Sequence, residues 1–183
     1  EAVVLREGDD VSLVTWGAMV HDTLRAAEEL MKEKVSCEVI DLSSLSPIDH
    51  DTILESVGHT GRLVIVHEAA RNAGLGAEIA ATVAEKALYD LLAPVVRVTG
   101  YDTVMPYFAL ERSYIPSVAR IADAVQNGER IAVFGATQVL DGHLIGSWTA
   151  SDAQAGLASA KETERLLQAV REARAGADTV VVF

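Results

Sequence analysis

Short apolar runs alternate with longer amphipathic segments along most of the chain. Five runs of strand length are rich in β-branched residues, namely residues 2–7, 11–15, 37–42, 62–68 and 94–100. Between them, apolar residues recur at helical spacing over residues 18–34, 49–58, 74–92 and 117–126. Strands that alternate with helices in this way predict βαβ units around a mostly parallel sheet with helices on both faces.

The pattern becomes more polar after residue 126. A strand is predicted over residues 130–137, a last helix over residues 159–175 and a final strand over residues 179–183. A buried strand is usually followed by a loop and a covering helix, whereas this sequence ends with the predicted strand at residues 179–183. We therefore expect the chain to be an excerpt of a longer sequence. The Asn127-Gly128 step directly after a helix is the best candidate boundary.

Composition narrows the class of protein. The 183 residues are 50% hydrophobic with a net charge of -12, which excludes a disordered chain and gives no basic surface for nucleic acid. No apolar run is long enough to cross a membrane, and the first residues do not form a secretory signal. The single cysteine, Cys37, cannot form an internal disulfide, so we expect a cytoplasmic protein.

Candidate chemistry lies at the carboxyl ends of the predicted strands, where open parallel sheets bind ligands. The groups there are Trp16, Gly17, Asp41, His67, Glu68 and residues 100–102 and 135–137. The His67-Glu68 pair has the most reactive side chains of these groups. It places a base and a carboxylate just before Arg71 and a glycine-flanked helix start. One interpretation is an anion or acid–base site. The other, which we favour, is a polar strand end whose glycines permit close packing or subunit contact.

Several common sites find no support. The segment AGLGAEIA lacks the third glycine of a dinucleotide-binding fingerprint, and GATQVLDG lacks the Gly-Lys-Ser/Thr ending of a phosphate loop. The loop serines lack a nucleophile-elbow pattern. The five histidines have no metal-ligand spacing to one another or to Cys37; they are His21, His50, His59, His67 and His143.

The irregular stretch between residues 101 and 116 concentrates aromatic side chains. Four of the nine aromatic residues of the chain lie there: Tyr101, Tyr107, Phe108 and Tyr114. Such a cluster either packs over its own core or forms an exposed interface, and the sequence leaves both interpretations open.

Four consecutive motifs identify a family. They are VVLREGDDVSLVTWGAMVHDTLRAAEEL, VSCEVIDLSSLSPID, TGRLVIVHEAARNAGLGAEIAATVAEKAL, and PVVRVTGYDTVMPY with LERSYIPSVARIADAV. In this order and spacing they resemble, over residues 1–126, the C-terminal domain of the β subunit of thiamine-diphosphate-dependent 2-oxo acid dehydrogenases, within the transketolase superfamily. The resemblance implies a three-layer α/β/α sandwich whose five-stranded mixed sheet has an antiparallel first strand.

The resemblance also implies a role. In that family thiamine diphosphate and magnesium lie between the α subunit and the N-terminal domain of the β subunit. We therefore expect no catalytic, cofactor-binding or metal-binding residue in this chain, and no activity from it alone. The C-terminal domain contributes subunit assembly and docking of the basic subunit-binding domain of the acyltransferase, which suits an acidic surface. The interface candidates are His67, Glu68 and Arg71 of the HEAxR segment, with Tyr107 and Phe108.

Residues from about 128 to 183 resemble a different family. GATQVLDG, SWTA, GLASAK and ADTVVV are similar to part of the CapA-type proteins of capsule and poly-gamma-glutamate synthesis. The resemblance implies a βαβ fragment whose metal-ligand segment would follow the last strand, so metal binding is not carried over. A chimera of a 1–126 domain and a 127–183 fragment is the simplest hypothesis.

Three functional classes therefore compete. The first is the assembly and docking domain, with the α subunit, the acyltransferase or a second copy of the chain as partners. The second is an engineered folding chain without activity. The third is a residual anion-binding or phosphatase-like site around His67, Arg71 and His143.

Overall fold

The computed structural model describes residues 1–106, 110–127, 131–134, 136–137, 158–159, 167–168, 170–172 and 179–182. The chain divides into two compact units, Glu1–Glu129 and Arg130–Phe183, and each is described by itself. Tyr107, Phe108 and His143 lie outside the described residues, so the expectations that rest on these three side chains stay predictions.

The first unit contains five strands and five helices among its described residues. The strands are β1 (Ala2–Arg6), β2 (Val11–Thr15), β3 (Cys37–Leu42), β4 (Leu63–Ala70) and β5 (Val96–Gly100). The helices are α1 (Met19–Lys32), α2 (His50–Thr60), α3 (Leu75–Lys86), α4 (Glu111–Tyr114) and α5 (Val118–Asn127).

The five strands form one mixed sheet in the order β1-β3-β2-β4-β5. β1 is antiparallel to β3, and the other three strand pairs are parallel. The α/β class, the five-stranded sheet and its antiparallel first strand are therefore confirmed.

Two apolar layers cover the two faces of this sheet. Every residue of β2 is buried, and its successive side chains point to opposite faces. Leu13 packs in the layer that contains residues of α1 and α5, whereas Val14 packs in the layer that contains residues of α2 and α3. The helices therefore form the outer layers of a three-layer sandwich. Polar groups lie at the ends of the strands between these layers.

Local hydrogen bonds explain where α2 begins and ends. Asp49 caps the helix by accepting a hydrogen bond from the backbone N–H of Thr52 at 3.2 Å. The same carboxylate accepts the N–H of Ala2 at 2.9 Å, which joins the first strand to the helix. These hydrogen bonds, that from Ala2 foremost, lower the pKa of Asp49. Gly61 ends the helix in the left-handed conformation.

The helix predicted over residues 74–92 is shorter in the structure. α3 ends at Lys86, and the following segment turns so that the N–H of Leu92 donates to the carbonyl of Gly61 at 2.7 Å. The prediction was wrong here because a contact with the end of α2 outweighs the helical spacing of the apolar residues. Two other differences are small: β4 continues to Ala70, and the short helix α4 lies within the stretch predicted to be irregular.

The second unit contains four short described strands, β6 (Ile131–Phe134), β7 (Ala136–Thr137), β8 (Ala158–Ser159) and β9 (Thr179–Val182). β6 pairs with β9 and β7 with β8, both in parallel. The helix predicted from residue 159 does not begin there, because the backbone of Ala158 and Ser159 is used in the ladder with β7. Helical backbone is described at residues 167–168 and 170–172.

Candidate functional site

A cleft opens at the carboxyl ends of β2 and β4. From β2 the chain crosses to β3 on one side, whereas from β4 it continues to β5 on the opposite side. Connections that diverge in this way leave a crevice between the two strands, where α/β sheets bind ligands. The cleft measures about 430 Å³ and is lined by Trp16, Gly17, Glu68, Ala69, Met105 and Tyr114. Of the groups predicted for this edge, it therefore brings together Trp16, Gly17 and Glu68.

His67 lies beside the cleft but is enclosed. Its side chain is only 1% exposed, and its ring stacks on that of Trp16 with centroids 5.1 Å apart and an interplanar angle of 14°. A Cβ atom at Gly74 would lie 2.8 Å from the His67 Cε1, and one at Gly76 would lie 2.5 Å from its Nε2. The two glycines therefore allow the start of α3 to pack against the imidazole, which is the close-packing role that the sequence suggested.

Burial also fixes the charge of His67. Desolvation, reinforced by the positive charge of Arg97 and slightly opposed by the Ala69 backbone, lowers the pKa of His67 to about 4. Neither ring nitrogen makes a hydrogen bond of normal geometry with any described group. The imidazole is therefore neutral at pH 7 and sits behind Trp16, where solvent and substrates do not reach it.

Arg71 ties the end of β4 to β5. Its Nη1 donates to the carbonyl of Arg97 at 2.8 Å, and the Nη1 of Arg97 donates to the carbonyl of Arg71 at 3.0 Å. The N–H of Asn72 donates to the Asp102 carboxylate at 2.7 Å. Burial, followed by the charge of Arg71, lowers the pKa of Arg97. These contacts give Arg71 a structural task at the strand ends.

Two of the four aromatic residues predicted to cluster after β5, Tyr101 and Tyr114, pack at the end of that strand. Tyr101 and Tyr114 are buried and meet edge to face, with centroids 6.1 Å apart at 86°. The Arg120 guanidinium lies 4.6 Å from the Tyr101 ring, and its Nη2 donates to the carbonyl of Thr99 at 2.9 Å. A Cβ at Gly100 would lie 2.5 Å from Tyr114, so this glycine gives the ring its place. Burial raises the pKa of Tyr114.

Sequence reasoning missed two walls of the cleft. Met105 and Tyr114 come from the segment after β5, which was treated only as packing or interface. The local excess of aromatic residues was the available signal, but it did not show that one of them lines the same cleft as Trp16.

The part of the chain that the structure describes has neither a cluster of metal ligands nor a membrane-spanning helix. It contains no group of three or more His, Cys, Asp or Glu side chains that could hold a metal ion. None of its helices is long and apolar enough to cross a membrane. The expectation that this chain binds no cofactor stays a prediction.

Comparison with known proteins places these features in context. The profile described as "Transketolase, C-terminal domain" matches residues 1–121. The pyruvate dehydrogenase E1 component subunit beta of Staphylococcus epidermidis is 49% identical over 117 residues, which are 64% of this chain and 36% of that protein. The Bacillus subtilis protein of the same name is 47% identical over 117 residues, with the same shares. The chain thus spans about a third of the length of these relatives.

A solved structure gives a similar result. A protein titled "Split gene transketolase, inactive beta4 tetramer" superposes with a TM-score of 0.63 and 33% sequence identity, covering 70% of this chain and 42% of that one.

Proposed function

Because this chain belongs to the transketolase C-terminal domain family, we propose that it is the assembly and docking domain of a 2-oxo acid dehydrogenase β subunit. Its docking partner is the basic subunit-binding domain of the acyltransferase, and its assembly partner is the α subunit or a second copy of the chain. The names of the relatives support this proposal, since they are subunits of pyruvate dehydrogenase E1. His67, Glu68 and Arg71 then act as scaffold for an interface and not as catalytic residues.

The observation that carries the proposal is an exposed apolar segment after α3. Tyr89 is 99% exposed, and Leu88 and Leu92 beside it are also exposed. Two acidic residues, Glu85 and Asp90, and one basic residue, Lys86, are exposed within the same stretch of chain. Exposed aromatic and aliphatic side chains rimmed by charge are typical of protein interfaces, and acidic neighbours favour a basic partner.

The charge distribution supports the same partner. Residues 1–126 carry 20 acidic and 10 basic side chains, a net charge of -10, whereas residues 127–183 carry 7 and 5. The acidity therefore belongs to the family domain. A basic partner would be attracted to it over roughly a Debye length, about 10 Å at 0.1 M salt.

Calorimetric titration of the full chain with the acyltransferase subunit-binding domain tests this proposal. We expect binding at low salt that weakens at least about tenfold at high salt, as electrostatic steering requires. Tyr89→Ala should weaken binding by about tenfold, as loss of an interface hot spot does. Leu45→Ala, which truncates an exposed apolar residue in another loop, is the matched control. Absence of binding at low salt would contradict the proposal.

We propose in addition that residues 127–183 come from a second, CapA-like protein. The family match ends at residue 121, and a second compact unit begins at Arg130. A fragment of this size is marginal as an independent domain, so it depends on contact with a larger unit or another copy. Limited proteolysis near residue 127 should release a tail that loses its circular-dichroism signal. A released tail that stays folded would contradict this dependence.

A further inference from the structure

Glu68 is a half-buried carboxylate with no counter-charge among the residues that the structure describes. It lines the cleft, and no described side chain forms an ion pair or hydrogen bond with it. The arginines of this region have other contacts, since Arg71 and Arg97 hold each other's carbonyls and Arg120 lies over Tyr101. A carboxylate that is partly removed from water gains from a cation that approaches it.

The walls around Glu68 are aromatic and held in place. The Trp16 side chain is fixed by its stack on His67, which α3 holds from the other side. Tyr114 is fixed by the edge of Tyr101 and by the close approach of Gly100. Because these rings are positioned by buried groups, a ligand that binds between them does not have to order them first.

The lining also selects the charge of a ligand. None of the six lining residues is basic, so a phosphate or carboxylate group would find no counter-charge in the cleft. A metal ion would need several oxygen ligands, and Glu68 is the only carboxylate among the lining residues. Aromatic rings together with one carboxylate recognise organic cations, whose carbon substituents pack on the rings while the charge faces the acid.

We propose that the cleft at the carboxyl ends of β2 and β4 binds a small organic ammonium ion. Glu68 faces the positive charge, and Trp16, Met105 and Tyr114 contact the carbon groups. The volume of about 430 Å³ is within the range of small-molecule sites and accommodates a ligand of the size of choline or a short alkylamine. This site is separate from the exposed apolar segment after α3, so it does not depend on the docking function.

Trp16 provides the reporter for a direct test. The chain has two tryptophans, and Trp148→Phe leaves Trp16 as the only one. We expect choline to change the Trp16 fluorescence saturably. Its uncharged carbon isostere, 3,3-dimethyl-1-butanol, should bind at least about tenfold more weakly, because it lacks the charge that the rings and Glu68 recognise. Butylammonium and butanol form a second pair that compares a primary with a quaternary cation.

Glu68→Gln separates the site from general charge effects. It should weaken choline binding by about tenfold and abolish the preference for choline over its isostere. Glu55→Gln removes an exposed carboxylate on α2, with the same change of net charge, and should leave binding unchanged. The thermal transition of each variant reports whether it is folded.

Three results would overturn the proposal. The first is equal binding of choline and its isostere, which needs no variant of Glu68 to be observed. The second is no change in Trp16 emission with any of the four compounds. The third is an equal loss on Glu55→Gln and Glu68→Gln, which would show attraction by the overall charge. None of these results bears on binding of the acyltransferase domain, so the two proposals fail separately.

Discussion

Two glutamates lie at opposite ends of the parallel strands of the same sheet and have different surroundings. Glu38, near the start of β3, is 7% exposed and accepts hydrogen bonds from the hydroxyls of Ser56 and Ser12. The Ser12 Oγ also lies 2.7 Å from the Thr60 Oγ1. Glu68, near the end of β4, lines an open cleft and has no partner among the described residues.

The difference extends beyond the two carboxylates. At the amino ends, a network of hydroxyls and one acid satisfies its own hydrogen bonds. At the carboxyl ends, the Thr15 Oγ1 and both ring nitrogens of His67 are buried without a described partner. Unsatisfied polar groups cost free energy, and structures keep them mainly where a function needs them. Glu38 thus belongs to an internal hydrogen-bond network, whereas Glu68 lines the cleft in which we propose that a cation binds.

Removal of Glu38 should have the largest effect. Glu38→Ala takes away a charged acceptor and leaves the Ser12 and Ser56 hydroxyls with each other, which should lower the free energy of unfolding by about 3 kcal/mol. Urea unfolding followed by circular dichroism measures this change. Glu55→Gln, at an exposed position, is the control and should change stability by less than about 0.5 kcal/mol. If both variants unfold at the same urea concentration, the network at the amino ends is not a source of stability.

The buried His67 should make stability depend on pH at the carboxyl ends. Its pKa is about 4 in the folded chain, against 6.5 for the free side chain. Between these values the unfolded chain binds the additional proton, so stability is complete above pH 6.5 and is lost as the pH falls towards 4. We expect a loss of about 2 kcal/mol over this window from His67. His67→Phe keeps a ring against Trp16 and should flatten the curve, so parallel curves for the two proteins would contradict the buried neutral imidazole.

The packing between α3 and His67 can be tested by adding one methyl group. Gly76→Ala places a Cβ 2.5 Å from the His67 ring and should cost about 2 kcal/mol, as overpacking does. Gly58→Ala is the matched control, because a Cβ at this helical position meets nothing within 4 Å and should stabilise α2 by about 0.5–1 kcal/mol. The cost of Gly76→Ala should fall when His67→Ala is added. An additive double variant would show that the glycine serves another purpose.

The sequence predicted the strands better than the helix ends. β2 and β3 have the predicted bounds, since runs such as VSLVT and CEVIDL carry the strand signal within themselves. The end of α3 depends on a hydrogen bond from Leu92 to Gly61, about 30 residues earlier, and no local pattern contains that contact. In the second unit, Ser159 pairs with Thr137 of β7, and this contact is likewise too distant along the chain for a local pattern to contain it.

Half of the residues that line the candidate site were predicted from the sequence. The rule for parallel sheets placed Trp16, Gly17 and Glu68 at the binding edge, because each directly follows or ends a strand. Met105 and Tyr114 reach the cleft through the packing of a loop over β5, which spacing along the chain does not determine. His67 packs against Trp16 and the start of α3, whereas Glu68 lines the cleft, so the adjacent pair does not form one acid–base site.

Replacement of Glu68 should have the smallest effect on stability, and it completes the comparison with Glu38. Glu68→Gln keeps the shape of the side chain and removes a charge that has no described partner, so the free energy of unfolding should change by less than about 0.5 kcal/mol. The same urea unfolding experiment applies to both glutamates. A loss close to that of Glu38→Ala would mean that Glu68 supports the fold. An unchanged stability together with weakened choline binding would assign the two ends of the sheet to two different tasks, because Glu38 would then support the fold and Glu68 the ligand.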